Sequence, residues 1–140
     1  MTKYLAIAIL VTGFLVAGNA YGEEEVYYCA TTGNNGFLFD ENLKKYKSSG
    51  FSTSKFKLKF DRTATTIEIK GHRVRTKNST YPCTVPYADT RPELLSCSSD
   101  FVHFSFNSNN GRFVFGQIAG YVIGDGGDSF SVSYGTCDKF

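Results

Sequence analysis

The clearest pattern in this chain is the alternation of apolar and polar residues with a period of two, which indicates β-strands buried on one face. In residues 55–60, Phe and Leu alternate with Lys, and residues 66–70 alternate in the same way after a turn at 61–64. Residues 129–134 place three serines on one face and Phe, Val and Tyr on the other. These segments predict three strands.

A hairpin is predicted over residues 101–118. Residues 101–107 and 112–118 flank Asn110-Gly111, a pair that favours the two-residue type I′ turn because both positions accept positive φ. Centring the turn there pairs Phe106 with Phe115. The apolar residues of both strands then share one face: Val102, Phe104, Phe106, Phe113 and Phe115.

The other segments give weaker signals. A first strand over 26–32 is expected to end at the Gly-rich turn 33–36, and 37–39 could form a short second strand. Asp40 could N-cap one or two helical turns through Leu43 and Tyr46. Residues 81–85 and 93–97 read as strands, and a turn at 124–128 follows 121–123. About eight strands with little helix predict an all-β antiparallel fold, an up-and-down barrel or a sandwich.

The N-terminus resembles an export signal. Lys3 precedes an uncharged apolar run over residues 4–16, and small residues follow up to Ala20. This order predicts a secretory signal peptide over 1–20, with cleavage after Ala20 or after Gly22. The expected mature chain, 21–140, is a single secreted or periplasmic domain in which no further apolar run is long enough to span a membrane.

Four cysteines remain after the predicted cleavage: Cys29, Cys83, Cys97 and Cys137. An even number in an exported chain predicts two disulfides, and no close pair with zinc-site spacing is present. In an up-and-down barrel the first and last strands are neighbours. Barrel closure therefore predicts Cys29–Cys137 and Cys83–Cys97, one of three possible pairings.

Charge is segregated along the chain. Residues 44–77 hold 11 Lys or Arg and two acids, a net charge of +9, whereas the rest of the mature chain holds three basic residues and 11 acids. The candidate anion-binding face consists of Lys55, Lys57, Lys59, Lys70, Arg73, Arg75 and Lys77. Such a face fits an anionic glycan, a lipid headgroup or an acidic protein surface, or it is simply a solvated outer face. Nucleic acid is a weaker prediction, because Phe56 and Phe60 point away from the lysines.

No cofactor, metal site or catalytic residue is predicted. A barrel interior rich in Phe and Tyr could hold an apolar ligand, although side chains can fill a barrel of this size. His72 and His103 could serve a secreted hydrolase or nuclease, but nothing in the sequence brings them together. Two minor motifs are a possible calcium turn at 124–128 and a glycosylation sequon at Asn78.

Part of the chain resembles a known family. The Tyr27-Tyr28-Cys29 start, the Gly-rich segment 33–36, the apolar 37–39 and the late Cys137 resemble the membrane-associated C-type lysozyme inhibitors, which are small periplasmic barrels. The chain lacks that family's Ser-Gly-x-x-Tyr loop and its Trp-containing segment, so the resemblance transfers no site residue. The leading hypothesis is a non-enzymatic binding domain for an anionic partner, and the alternative is an inhibitor or interaction module that acts through its loops.

Overall fold

The computed structural model describes residues 24–72, 80–124 and 129–140. The predicted signal peptide lies outside these residues. The strands and the single short helix found in this part of the chain are β1 (Glu24–Asp40), β2 (Lys45–Gly50), β3 (Lys55–Asp61), β4 (Thr66–Lys70), β5 (Thr80–Thr84), β6 (Leu94–Ser99), β7 (Val102–Asn107), β8 (Arg112–Gln117), α1 (Ala119–Ile123) and β9 (Ser129–Lys139).

The strands form an antiparallel closed barrel, as the alternating pattern predicted. Eight strands follow one another around the wall in the order β1-β3-β4-β5-β6-β7-β8-β9, and β9 pairs with β1 to close it. Closure leaves no free edge in the wall, so the backbone groups of each strand are paired on both sides. The expected fold class, a small up-and-down barrel rather than a sandwich, is confirmed.

The first strand is longer than the sequence predicted, because no turn forms at the Gly-rich segment. β1 continues through residues 33–36 with a register shift against β9 between Thr31 and Gly33. A Cβ at Gly36 would collide with the backbone of Phe130, and one at Gly33 would collide with the ring of Tyr134. These glycines therefore let β9 approach closely, and the expected separate strand over 37–39 is the last part of β1.

The helix predicted after Asp40 is also wrong. The Asp40 side chain accepts hydrogen bonds from the backbone N–H of Asn42 (3.0 Å) and Leu43 (2.9 Å), but the capped segment is a turn. The chain then enters β2, which pairs with residues 35–40 of β1. Residues 35–50 thus form a hairpin, here called the extension, whose β1 part also pairs with β9 on its other side.

The β7–β8 hairpin has the predicted shared face but a different register. Phe106 pairs with Phe113, two positions away from the predicted Phe115. The Asn107 side chain accepts from the N–H of Asn109 and Asn110, and its carbonyl accepts from Gly111, which adopts φ 68°. This capping makes a four-residue loop instead of a two-residue turn. A shift of two residues preserves the inward face, so the predicted core was right.

Aromatic and aliphatic side chains fill the middle of the barrel. Phe104 stacks on Phe113 at 5.6 Å between ring centroids, and Phe56 meets Phe113 edge to face at 5.2 Å. Both predicted disulfides are present, Cys29–Cys137 across the β1–β9 seam and Cys83–Cys97 between β5 and β6. The core comprises Tyr27, Cys29, Phe56, Leu58, Phe60, Ile67, Ile69, Tyr81, Leu95, Cys97, Val102, Phe104, Phe106, Phe113, Phe115 and Cys137.

One short helix, α1, stands where residues 121–123 were expected to lead into a turn. Its Tyr121 contacts Tyr46 and Phe130 on the outer side of the extension. Neither this helix nor any other in the described residues has the length and apolar character needed to cross a membrane.

Candidate functional site

The lysines of β3 lie on the outer face of the barrel wall. Phe56, Leu58 and Phe60 are buried, and the alternating Lys55, Lys57 and Lys59 are not. Lys57 lies directly opposite Lys70 of β4 in the strand register. The structure therefore brings four of the seven predicted residues together: Lys55, Lys57, Lys59 and Lys70.

Two of these lysines are neutralised by acids on the same face. Lys59 pairs with Glu24 at 2.5 Å, and Lys70 pairs with Glu68 at 3.0 Å. The hydrogen bond that Lys59 donates to the Glu24 carboxylate raises the pKa of Lys59 above its ordinary value. Lys55 and Lys57 form no ion pair within residues 24–72, 80–124 and 129–140. Among the four lysines of this face, Lys55 and Lys57 are thus the two without an acid partner in the described residues.

Sequence reasoning missed an aromatic residue beside this charge. Tyr28 of β1 lies opposite Lys57 on the side away from Lys70, and its side chain is 52% exposed. The Phe140 ring meets Tyr28 edge to face at 5.7 Å. Phe56 and Phe60 do point inward as predicted, but Tyr28 gives the lysine face an aromatic neighbour. Its period-two position in β1, one residue before the inward Cys29, was the available signal.

Several predicted residues lie outside the described part of the chain. These are Arg73, Arg75, Lys77 and the sequon residue Asn78, together with the two aspartates of the predicted calcium turn. Within the described residues, no group of three or more His, Cys, Asp or Glu is arranged to hold a metal ion.

The two histidines lie on opposite faces of the barrel wall. His103 is exposed on the outer face of β7, where its Nε2 lies 3.1 Å from the Ser105 hydroxyl. His72 follows β4 and packs inside, with its ring 4.5 Å from Phe115 and 5.1 Å from Phe56. The structure does not bring these two imidazoles together as the acid–base pair of a nuclease.

One end of the barrel, here called the paired end, is closed by an ion cluster. Glu25 faces inward and is only 7% exposed. Its carboxylate accepts hydrogen bonds from Lys139 (2.6 Å), from Arg62 (3.0 and 3.1 Å) and from the Tyr27 hydroxyl (3.0 Å). The Arg62 guanidinium also lies 5.3 Å from the centre of the Phe60 ring.

The cluster shifts the ionisation of both buried members. Burial alone would raise the pKa of Glu25, but its hydrogen bonds to Lys139, Arg62 and Tyr27 outweigh that effect and lower it. Burial, followed by the hydrogen bond to the Glu25 carboxylate, raises the pKa of Tyr27 to about 12. Glu25 is therefore a paired anion and Tyr27 a neutral donor at physiological pH.

The opposite end, here called the mouth, holds a polar cavity of about 300 Å³. Residues from widely separated segments meet there: the β1 residue Asn34, the β2–β3 connection 51–54, His72 after β4, Gln117 of β8 and the serines of β9. In β9 it is the serine face that points inward, while Val132 and Tyr134 are about half exposed on the outside. Its lining comprises Asn34, Phe51, Ser52, Thr53, Ser54, His72, Phe115, Gln117, Ser129, Ser131 and Ser133.

Hydrogen bonds between segments hold the mouth in shape. The Asn34 side-chain amide donates to the Ser52 carbonyl at 3.2 Å, and the Ser54 N–H donates to the Thr31 hydroxyl at 2.6 Å. The Ser133 hydroxyl donates to the Phe115 carbonyl at 3.4 Å. Three buried polar atoms find no partner among the described residues: Asn34 Oδ1, His72 Nδ1 and His72 Nε2. Burial lowers the pKa of His72, so its ring is neutral at physiological pH.

A larger groove of about 680 Å³ lies along the wall beside β6, β7, β8 and β9. Its outer lining includes Val114, Tyr134 and Tyr87, each about half exposed. The unpartnered buried atoms found in the described residues all belong to the mouth and not to this groove.

Comparisons with known proteins give no counterpart. No protein-family model, no curated protein and no solved structure matches the chain. The resemblance to the lysozyme inhibitors therefore stays an expectation from the sequence, and the sites above are defined by their own geometry.

Proposed function

We propose that this protein is an exported, non-enzymatic binding domain that engages an acidic glycan through the outer face of β3 and β4. The observation that carries the proposal is the row formed by Tyr28, Lys57 and Lys70 across three neighbouring strands. The two disulfides are compatible with the oxidising compartment that export would provide.

The position of Lys57 supports a binding role. Like charges directly opposite each other in a sheet destabilise it, and Lys57 opposes Lys70 while Lys55 and Lys59 lie on the same face. The acid partners of Lys59 and Lys70 reduce this repulsion, but Lys57 itself has no ion pair within the described part of the chain. A bound polyanion would relieve the remaining repulsion.

The spacing of these groups suits a linear polyanion. Alternate residues on one strand lie about 7 Å apart and neighbouring strands about 5 Å apart, so the lysines form a flat array. Lysine binds sulfate and carboxylate groups as a compact point charge. The half-exposed ring of Tyr28 offers an apolar surface beside the array on which a sugar ring can pack. This combination favours an acidic glycan over a lipid headgroup or an acidic protein.

The test is binding of the mature protein to heparin and to hyaluronate at several salt concentrations. We expect binding that weakens as salt rises, because screening reduces the attraction between exposed charges. Lys57→Glu is expected to weaken binding about tenfold, since each exposed charge contact is worth roughly 0.2–1 kcal/mol and reversal adds repulsion. Tyr28→Ala should weaken it without changing the salt dependence.

Lys45→Glu is the matched control. Lys45 is an exposed lysine of β2 in the extension, so its reversal changes the net charge equally but leaves the β3–β4 face intact. Equal losses from Lys45→Glu and Lys57→Glu would reduce the effect to net charge and contradict a defined site. Absence of binding to both glycans at low salt would also refute the proposal.

A second candidate, an interaction module acting through the extension, has one observation in its favour. The apolar residues around the extension are each between 48% and 67% exposed: Leu38, Leu43 and the α1 residues Tyr121, Val122 and Ile123. Exposed apolar surface of this kind is typical of protein contacts. Mutations distinguish the two candidates. The second predicts that binding to a partner protein survives Lys57→Glu and is lost in Leu38→Ser.

A further inference from the structure

The polar cavity at the mouth is a second candidate site, on the inside of the barrel at the end opposite Glu25. Its lining of hydroxyls, amides and one imidazole contains no Asp, Glu, Lys or Arg among the residues that the structure describes. Burial keeps His72 neutral, so none of the described lining residues carries a formal charge at physiological pH. The described lining therefore offers hydrogen bonds and not charge to a ligand, in contrast to the lysine face.

Three unpartnered atoms belong to residues that line the cavity, and they call for an explanation. The large majority of buried side-chain polar atoms in folded proteins have a hydrogen-bond partner, and each buried atom left without one costs free energy. Here Asn34 Oδ1 and both ring nitrogens of His72 have none within residues 24–72, 80–124 and 129–140.

The chemistry of the wall defines what could satisfy these atoms. Asn34 Oδ1 needs a donor, a neutral imidazole offers one donor and one acceptor, and the Ser129 and Ser131 hydroxyls can act as either. Phe51 and Phe115 supply apolar faces in the same cavity. A volume of about 300 Å³ lies at the lower end of the range for small-molecule sites.

We propose that the mouth binds an uncharged sugar ring, as a free monosaccharide or as the terminal residue of a longer glycan. Such a ring carries several hydroxyls that both donate and accept, together with C–H faces that pack on Phe51 and Phe115. The proposal does not depend on the lysine face, which lies on the outer surface of the wall.

The test is a titration of the uniformly ¹⁵N-labelled mature protein with glucose, N-acetylglucosamine, their disaccharides and glucuronate, followed by NMR. We expect saturable shifts of the Asn34 and Ser131 amides and of the His72 ring nitrogens with a neutral sugar, and weaker binding of glucuronate. Binding of monosaccharide and disaccharide alike would identify a terminal glycan residue, and binding of the monosaccharide alone would identify a free sugar.

Ser131→Leu is the site variant, because the leucine side chain would fill part of the cavity and the substitution removes a hydroxyl. It should weaken binding at least about tenfold, while Ser96→Leu, at a strand serine of β6 away from the mouth, should leave binding unchanged. Asn34→Ala provides a smaller change at the same site if the leucine variant does not fold. No shift with any neutral sugar, tighter binding of glucuronate, or unchanged binding in both site variants would overturn the proposal.

Discussion

The two ends of the barrel share strands β1 and β9 but treat buried polar groups differently. At the paired end, Glu25 accepts hydrogen bonds from three side chains and its charge is balanced by two cations. At the mouth, Asn34 and His72 keep three buried atoms without a partner in the described residues. Stability alone accounts for the first arrangement. The second costs stability unless a ligand, an ion or a water molecule supplies the missing partners, which is consistent with the proposed binding site.

The same contrast separates two kinds of charge. The cations of the paired end are committed to Glu25, whereas Lys55 and Lys57 on the outer face of β3 have no acid partner in the part of the chain described. A count of basic residues along the sequence cannot distinguish Arg62 from Lys57. The structure separates a cation that closes the barrel from one that is available to a ligand.

The largest expected effect comes from the β1–β9 seam, which joins both ends. The double variant Cys29→Ser/Cys137→Ser removes a bridge that spans 108 residues, and it should lower the free energy of unfolding by about 4–5 kcal/mol. Cys83→Ser/Cys97→Ser spans 14 residues and should cost about 3 kcal/mol. Urea unfolding without reductant measures both. A greater loss of unfolding free energy from removing the shorter bridge would contradict the expectation that the bridge across the β1–β9 seam stabilises more.

The next effect concerns the paired end. In Arg62→Met/Lys139→Met the Glu25 carboxylate stays buried but loses both cations, so we expect a loss of about 3 kcal/mol at neutral pH. Adding Glu25→Gln to this variant should restore most of the stability, because the uncompensated charge is then gone. A triple variant no more stable than the double variant would show that the cluster acts through packing alone.

The ionisation of Glu25 makes this end sensitive to acid. Its folded-state pKa lies below the ordinary value of 4.5, so its ion pairs stabilise the fold above that pH. This contribution is lost as the pH falls through the lowered folded-state pKa. Between neutral and strongly acidic pH, the free energy of unfolding should therefore fall more steeply in the parent protein than in the triple variant.

The smallest effect is expected at the mouth. The pKa of His72 in the folded state lies below its ordinary value of 6.5, so stability should fall as the pH drops from about 6.5 towards that lowered pKa. Because His72 takes up one proton, the slope of the free energy of unfolding against pH is at most about 1.4 kcal/mol per pH unit. His72→Phe keeps the ring contacts with Phe56 and Phe115 and should remove this slope. His103→Phe, on the outer face, should keep it.

Much of the fold followed from the sequence, because strand alternation is a local rule and closure of an up-and-down barrel makes the first and last strands neighbours. The alternation in residues 55–60 identified β3 and its inward residues, and closure gave the Cys29–Cys137 pairing. The extension was missed because β2 carries only one apolar side chain, Tyr46, and pairs with β1 alone. The Gly-rich segment was read as a turn, since a glycine needed for close strand contact looks the same in sequence.

The sites were harder to predict because they depend on which face of a strand points inward. Alternation shows which residues share a face but not the side on which that face lies. For β9, the position of Cys137 indicated the inward face. Cys137 faces inward at an odd-numbered position, and so do Ser129, Ser131 and Ser133. The mouth also combines five separate segments, and no spacing in the sequence indicates that Asn34 and His72 line one cavity.

Two binding surfaces are proposed, one charged and outside the barrel, the other inside its mouth and lined by uncharged groups in the described residues. The most direct measurement is an NMR map of the labelled mature protein with heparin and with a neutral sugar, each added alone. Heparin should shift the amides of Tyr28, Lys57 and Lys70, and the sugar should shift those of Asn34 and Ser131. Shifts of the same residues by both ligands, or no shifts by either, would contradict the account.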